Sequence, residues 1–539
     1  MKPVVVLLAA AALAAVSVAF ARDAASPPDK APVAPDQKSN FFKPADSVTN
    51  GSVTVENNTI SYQAIAGTLI VHPKDHDDVT NDEDGDKKDA KDKPAEASMF
   101  YVAYMRRGGD EGTRPVTFLF NGGPGSSTVW LHMGAFGPKR VVTMDDSHTP
   151  AAPYKVINND YSLLDASDLV FVDAPGTGFS RIAGKDKEKA FYGVDADAHA
   201  FTEFVTAFLS KYGRWNSPKY IFGESYGTPR ASVVAYDLQS DKSLDLNGVI
   251  LLSQILNFDL SVDGPDANPG VDLPYEVAFP TYAATALYHH KVPGSINDLQ
   301  KFAQSAEQFA MTDYARALSI GSSLSPAQRL AIANRMHAFT GLPVSYILKS
   351  NLRIDGGQFE KMLQDDNGLT TGRLDTRFSG PSIDPLSKES DYDPQSAAIS
   401  SAYVSAFNDY ARKVLNFGQD QVYKPEIDVF KWWEFKHQQP GQNFGFPGST
   451  NVMPDIATAM KTNPQLKVMV NGGYFDLATP YYEGWYEMHH LPIPQTLQGN
   501  IEYHYYASGH MVYAHEEALK MLHDNVATFI RNTATQPAH

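Results

Sequence analysis

Among its 539 residues the chain has no cysteine. Disulfides, thiol nucleophiles, thiolate metal sites and cysteine-linked lipids are therefore excluded. A chain of this length does not need disulfides, because its core suffices. Positive charge is also scarce: 45 Lys and Arg stand against 62 Asp and Glu, a formal net charge of -17. That balance argues against a nucleic-acid partner, which would want a basic face. Beyond the first 21 residues no apolar run is long enough to cross a membrane. There is no internal repeat, and no glycine loop ends in the Lys-Ser/Thr of a phosphate cradle.

The one long apolar run lies at the start. Lys2 supplies a short positive region, Pro3 to Phe20 is almost all Ala, Val and Leu, and Ala19-Phe20-Ala21 makes a small-residue cleavage site before Arg22. This reads as a secretory signal peptide. The rival reading is a membrane anchor, but the run is barely long enough and a cleavage site closes it. The expectation is export to the periplasm or beyond, with no stable membrane anchor after cleavage. The chain then divides into a flexible linker (22–45), a first part of an α/β core (46–258), a helical insertion (259–462) and a second part of the core (463–539). The stretch Lys74 to Pro94 is dense in Asp and Lys. Setting Gly85 as the glycine of a calcium loop puts Thr80 first and Lys91 last, so the EF-hand pattern fails and a solvated loop remains.

Within the core, Ser52–Glu56 and Ile60–Ile65 alternate as strands around Asn57-Asn58. Met99–Met105, Val116–Phe120, Leu169–Val172 and Val249–Leu252 are apolar runs of strand length. Phe201, Phe204, Val205, Phe208 and Leu209 mark the apolar stripe of a helix. Alternating buried strands and helices predict a mostly parallel sheet covered on both faces. After Leu256 only helical patterns are evident. One has the capping box Ser325-Pro-Ala-Gln328, ended by Gly341 and Pro343. Another puts Tyr403, Phe407, Tyr410 and Val414 on one face. The alternation resumes at Leu466–Val470 and Ile501–Tyr506, and a last helix runs from about Ala514 to Ile530.

Everything else is organised around Gly223-Glu224-Ser225-Tyr226-Gly227. A short apolar run leads in, a helical run leads out, and Pro229 suits an early helical turn. This is the context of a nucleophile elbow, in which glycines make room for a sharp turn and the serine sits strained and exposed. Taken alone, the pattern also arises in ordinary glycine turns. A serine hydroxyl needs a base, usually a histidine oriented by a carboxylate. In α/β-hydrolases these follow in the order Ser, Asp or Glu, His. Asp476 and His510 supply that order, each just past a predicted strand end, where open parallel sheets gather their sites. Singly, a loop histidine or a turn aspartate is usually structural; together the catalytic reading is the better one. Asn121-Gly-Gly-Pro-Gly125 adds backbone N–H groups that glycine leaves accessible to a developing oxyanion, and the residue after the nucleophile, Tyr226, would add another. The adjacent pairs His289-His290 and His489-His490 do not share a helix face, and Pro73 breaks the helix that His72 and His76 would need. No metal and no cofactor is expected.

Four motifs in order, Asn121-Gly-Gly-Pro-Gly-Ser-Ser127, Asp173-Ala-Pro-Gly-Thr-Gly-Phe-Ser180, Gly223–Gly227 and Gly509-His-Met511, resemble the serine carboxypeptidase family. The resemblance covers the core on both sides of the insertion. It implies an α/β-hydrolase fold with a helical cap and a serine peptidase acting on peptide or protein C-termini. Ser225 would be the nucleophile, His510 the base and Asp476 its orienting acid. Gly123 and Tyr226 would form the oxyanion hole, and Asn121 and Glu224 would hold the substrate's terminal carboxylate. A Glu beside a bound carboxylate should stay protonated. The family's second Glu, fourteen positions after the loop Asn, is Ala135 here, and its loop cysteine is Ser126. Without that second acid Glu224 should ionise more easily, and His132, Lys139 and Arg140 are the nearest cations that might substitute in sequence. An esterase or acyltransferase with the same triad, and a non-catalytic binder on a hydrolase scaffold, are the alternatives.

Overall fold

The computed structural model describes residues 41–76, 93–108, 112–445 and 449–534. The expected signal peptide, the expected linker up to residue 40 and residues 77–92 of the acidic loop lie outside the described residues.

Fourteen strands are described, in chain order β1 (Asp46–Val55), β2 (Asn58–Val71), β3 (Glu96–Arg106), β4 (Val116–Phe120), β5 (Lys139–Val141), β6 (Val156–Asn158), β7 (Asp168–Val172), β8 (Arg181–Ala183), β9 (Lys219–Glu224), β10 (Gly248–Leu252), β11 (Leu369–Thr371), β12 (Ser379–Pro381), β13 (Lys467–Gly473) and β14 (Ile501–Tyr506). The main sheet runs β1-β2-β3-β7-β4-β9-β10-β13-β14, with β8 on the far part of β3. From β7 to β14 every pairing is parallel. The first strands are an antiparallel meander that joins this block through β3 and β7. This is an α/β-hydrolase fold. Strands β4, β7 and β10 are buried at every residue, which is why they read as unbroken apolar runs. The first hairpin turns at Glu56-Asn57, both at positive φ, one residue before the Asn57-Asn58 expected from composition.

Each face of the sheet carries its own core. On one, the helix Val194–Tyr212 buries Phe201, Phe204, Val205, Phe208 and Leu209, with Phe208 edge-on to Phe118 at 5.4 Å. On the other, Phe136, Phe222 and Tyr513 pack with the closing helix Glu516–Ala534.

Between β10 and β13 the chain is largely helical and builds a third core around Phe279, Phe309, Tyr314 and Ile347. That core takes in Phe475 and Leu477, the neighbours of Asp476. The capping box at Ser325 forms as its sequence implies, and Gly341 closes that helix in the left-handed conformation. In the helix Pro394–Lys413, Tyr403, Phe407 and Tyr410 are buried. Val414 is not on that face; it sits past the helix end and is 48% exposed. An irregular strap then crosses the glycine-rich loops. Ser127 donates to Pro425 (2.8 Å), Ile427 to Gly125 (2.9 Å) and Val194 to Glu434 (3.0 Å). His437 fastens it, bonded to Asp195 at 2.5 Å and to Asp455 at 2.8 Å.

Candidate active site

Ser225 stands between β9 and the helix Gly227–Lys242, with φ +60°. A non-glycine residue held there costs on the order of 1–3 kcal/mol, and such strain clusters at functional sites. The turn closes because its flanks are bare. A Cβ on Gly223 would lie 2.0 Å from the Gly227 carbonyl oxygen, and one on Gly122 would lie 2.3 Å from the Tyr226 nitrogen. The glycine loop after β4 therefore rests directly against the start of the elbow helix. Among the described residues neither the Gly123 nor the Tyr226 N–H meets a backbone acceptor.

Buried pairs hold this corner. Arg230, on the elbow helix, donates through Nη1 to the Asn121 carbonyl at 2.7 Å and is ion-paired to Asp197 at 2.6 Å, both side chains almost wholly buried. The Asn121 Oδ1 accepts from the Leu131 N–H at 3.1 Å. Asp173, from the second motif, accepts the Thr128 N–H at 2.8 Å. Burial pushes its carboxyl up to about 7. The sequence pattern marked Asp173 as part of a motif without revealing this supporting part, and it did not single out Arg230 or Asp197.

Asp476 and His510 meet. Asp476 follows β13, His510 follows β14, and those strands are parallel neighbours. His510 Nδ1 lies 2.8 Å from Asp476 Oδ2. The other carboxylate oxygen accepts the N–H groups of Ala478 (2.9 Å) and Thr479 (3.0 Å), and the Thr479 hydroxyl donates to Oδ2 at 2.8 Å. With Nδ1 so engaged, Nε2 is the ring nitrogen left for the cavity that His510 and Ser225 both line. Burial works to lower the imidazole pKa, but the charge and hydrogen bond of Asp476 outweigh it, and the pKa lies above the ordinary histidine value.

The cavity measures about 160 Å³ and is lined by Asn121, Gly123, Glu224, Ser225 and His510 together with residues from beyond β10. Of the residues singled out from the sequence, Tyr226 is buried beside it rather than in its lining. Glu224 is 2% exposed. The Tyr513 hydroxyl lies 3.0 and 2.9 Å from its two carboxylate oxygens. Burial raises the Glu224 pKa to about 7, against the lowering effects of His510, Tyr513 and Asn121. The largest effect on Glu224 is desolvation, which acts whether or not a second acid stands at position 135. Tyr513 was not legible as its partner.

The three cations near Ala135 do not line the cavity. His132 is stacked on Phe171 at 4.4 Å and bonded to the Tyr104 hydroxyl at 2.7 Å, and burial pushes its pKa down to about 3, so it is neutral. Arg140 is paired with Glu516 at 2.6 Å. Among the described residues the Lys or Arg that does line the cavity is Arg373, from the insertion, where the resemblance is weak or absent.

Residues 90–264 match the family model described as serine carboxypeptidase. The chain is similar to the pheromone-processing carboxypeptidase KEX1 of Yarrowia lipolytica, 32% identical over 141 residues, which are 26% of this chain and 21% of that protein. It is also similar to serine carboxypeptidase-like 36 of Arabidopsis thaliana, 27% identical over 232 residues, 39% of this chain and 44% of the relative. The chain thus spans less than half the length of these relatives. Among solved structures it is similar to the proline iminopeptidase of Mycobacterium smegmatis, with a TM-score of 0.32 and 12% identity, covering 90% of this chain and 99% of that one. The matched segment, residues 90–264, is the part that carries the glycine loop, the Asp173 motif and the serine elbow.

Proposed function

We propose that the protein is an exported serine carboxypeptidase that releases C-terminal residues from peptides through an acyl-enzyme. The observation that carries the reading is the Asp476–His510 hydrogen bond beside a cavity that Ser225 also lines. In this reading His510 Nε2 takes the proton as Ser225 Oγ attacks the scissile carbonyl. The negative charge that develops on the carbonyl oxygen is met by the N–H groups of Gly123 and Tyr226. The tetrahedral intermediate collapses, the C–N bond breaks, and His510 returns the proton to the leaving amine. Water, deprotonated by the same imidazole, then attacks the acyl ester and releases Ser225. Asn121 and Glu224 hold the terminal carboxylate, Glu224 as the neutral acid that its raised pKa of about 7 favours under acidic conditions. Export through cleavage after Ala21 belongs to the same proposal. Among the described residues no helix is long and apolar enough to cross a membrane.

The test compares a blocked dipeptide bearing a free C-terminus with its C-terminal amide across a pH series, with Ser225→Ala as control. Preference for the free acid, lost in the variant, is the expected result. Ester cleavage that depends on Ser225 but ignores the terminal carboxylate would replace the reading with the esterase alternative, which Ala135 favours. Absence of Ser225-dependent labelling by a fluorophosphonate probe would replace it with a binding protein.

A further inference from the structure

We infer that Arg373, contributed by the segment between β10 and β13, binds the α-carboxylate of the substrate's leaving residue. The inference rests on the carboxypeptidase reading and extends it to a residue outside the family motifs.

The cavity poses an electrostatic problem. Glu224 and Glu426 both line it, and among the described residues Arg373 is the only lysine or arginine that does. An incoming carboxylate placed between two acids is opposed by like charge unless a cation answers it. The family's second acid is absent at Ala135, so the shared-proton arrangement that a pair of acids would allow cannot form there.

Arg373 is positioned for the leaving side of the reaction. Its carbonyl accepts the Leu477 N–H at 3.1 Å, one residue beyond Asp476. The carbonyl of the next residue, Leu374, accepts the His510 N–H at 2.6 Å. The N–H groups of Arg373 and Leu374 both reach Asp393 Oδ1, at 2.7 and 3.3 Å. The residue is thus tied to the loops of the orienting acid and of the base. The base is the group that hands its proton to the departing amine, so a cation fixed beside it faces the residue that leaves.

The side chain has donors to spare. Asp263 takes Nε at 3.2 Å and Nη2. Among the described residues Nη1 donates to no protein acceptor. The pair is partly exposed, with side chains 38% and 41% exposed, and Asp263, Glu360 and Asp393 together keep the guanidinium charged against its burial. A guanidinium can retain one carboxylate on one edge while it offers a second pair of N–H groups to another.

The experiment measures kcat/KM for a blocked dipeptide free acid, its amide, and an amide pair ending in Glu or Gln, with the wild type, R373A, R373Q and D263N. R373A and R373Q are expected to lower the acid-over-amide ratio roughly 10- to 100-fold, mainly through KM, as loss of a charged hydrogen bond implies. D263N, which frees the arginine, is expected to keep the ratio. An unchanged ratio in both arginine variants overturns the inference. So does an equal loss in D263N, which would mean that the ion pair merely supports the loop. A loss confined to the Glu-over-Gln preference also overturns it, by assigning the arginine to side-chain carboxylates. If the wild type itself shows no preference for the free acid, the carboxypeptidase reading fails first. If that preference survives in the arginine variants, only the role of Arg373 fails.

Discussion

The two walls of the cavity are built by different means. One consists of the ends of β4, β9 and β14 with their loops, carrying Asn121, Glu224, Ser225 and His510, with Asp476 buried behind the histidine. The other comes from the chain between β10 and β13, which contributes Arg373, Ser396 and Glu426. The first wall is held by backbone geometry and buried polar pairs: the elbow against Gly122, Arg230 on Asn121, and the Asp476 carboxylate with four donors. In the second, Glu426 belongs to a strap whose clasp is a histidine between two carboxylates, while Arg373 is tied through its backbone to Leu477 and Asp393. In the proposed reading, chemistry belongs to the first wall and selection among substrates to the appended one.

The largest effect that would break this contrast is on the first wall. Ser225→Ala is expected to lower kcat/KM by about 10⁴-fold or more, since triad members act as a unit. A small loss, measured on any substrate that the wild type turns over, would move the nucleophile elsewhere.

Next comes the clasp. His437 has a pKa raised to about 9: burial lowers it, but its bonds to Asp195 and Asp455 more than compensate. A raised value contributes stability that is fully present below the ordinary histidine value and lost as pH rises through about 9. The contribution is on the order of 1–3 kcal/mol. Denaturant unfolding at pH 6 and pH 9.5 should show that difference in the wild type and little of it in His437→Gln.

Glu224 sharpens the comparison through pH. Its ionisation at about 7 is expected to raise KM for free acids as pH increases, while amides, which bring no carboxylate, show only the rise in rate as His510 loses its proton. In Tyr513→Phe, loss of a hydrogen bond that lowers the Glu224 pKa should move the alkaline limb for free acids upward. A limb that does not move would leave Tyr513 as a packing residue.

The smallest effect belongs to the appended wall. Glu426→Gln is expected to change preference among charged side chains at the cleaved bond by up to about tenfold. It should leave the pH dependence of amide turnover as it was. A collapse of turnover on every substrate would erase the distinction between the walls.

That distinction also explains what could be read from residues alone. The elbow, Asp476 and His510 were legible because their chemistry demands a local pattern: glycines flanking a turn, an acid and a base after apolar runs, a fixed order along the chain. The parallel block of the sheet was legible because burial on both faces leaves unbroken apolar strands. Tyr513, Arg373 and Glu426 carry no such local signature. A tyrosine shortly after the histidine, or an arginine among loops, becomes meaningful only when long-range packing delivers it to the cavity. The burial that raises the Glu224 pKa is likewise a tertiary property that no local pattern announces.

His510 hangs from β14, and β14 is the last strand of the sheet, paired on one side only. Outer strands open at lower free energy than central ones. The serine, by contrast, sits at the end of β9, flanked by β4 and β10. Warming would therefore part the two reacting groups before the body of the molecule melts. The proposed activity would then be lost while the protein is still folded, and would return on cooling without refolding.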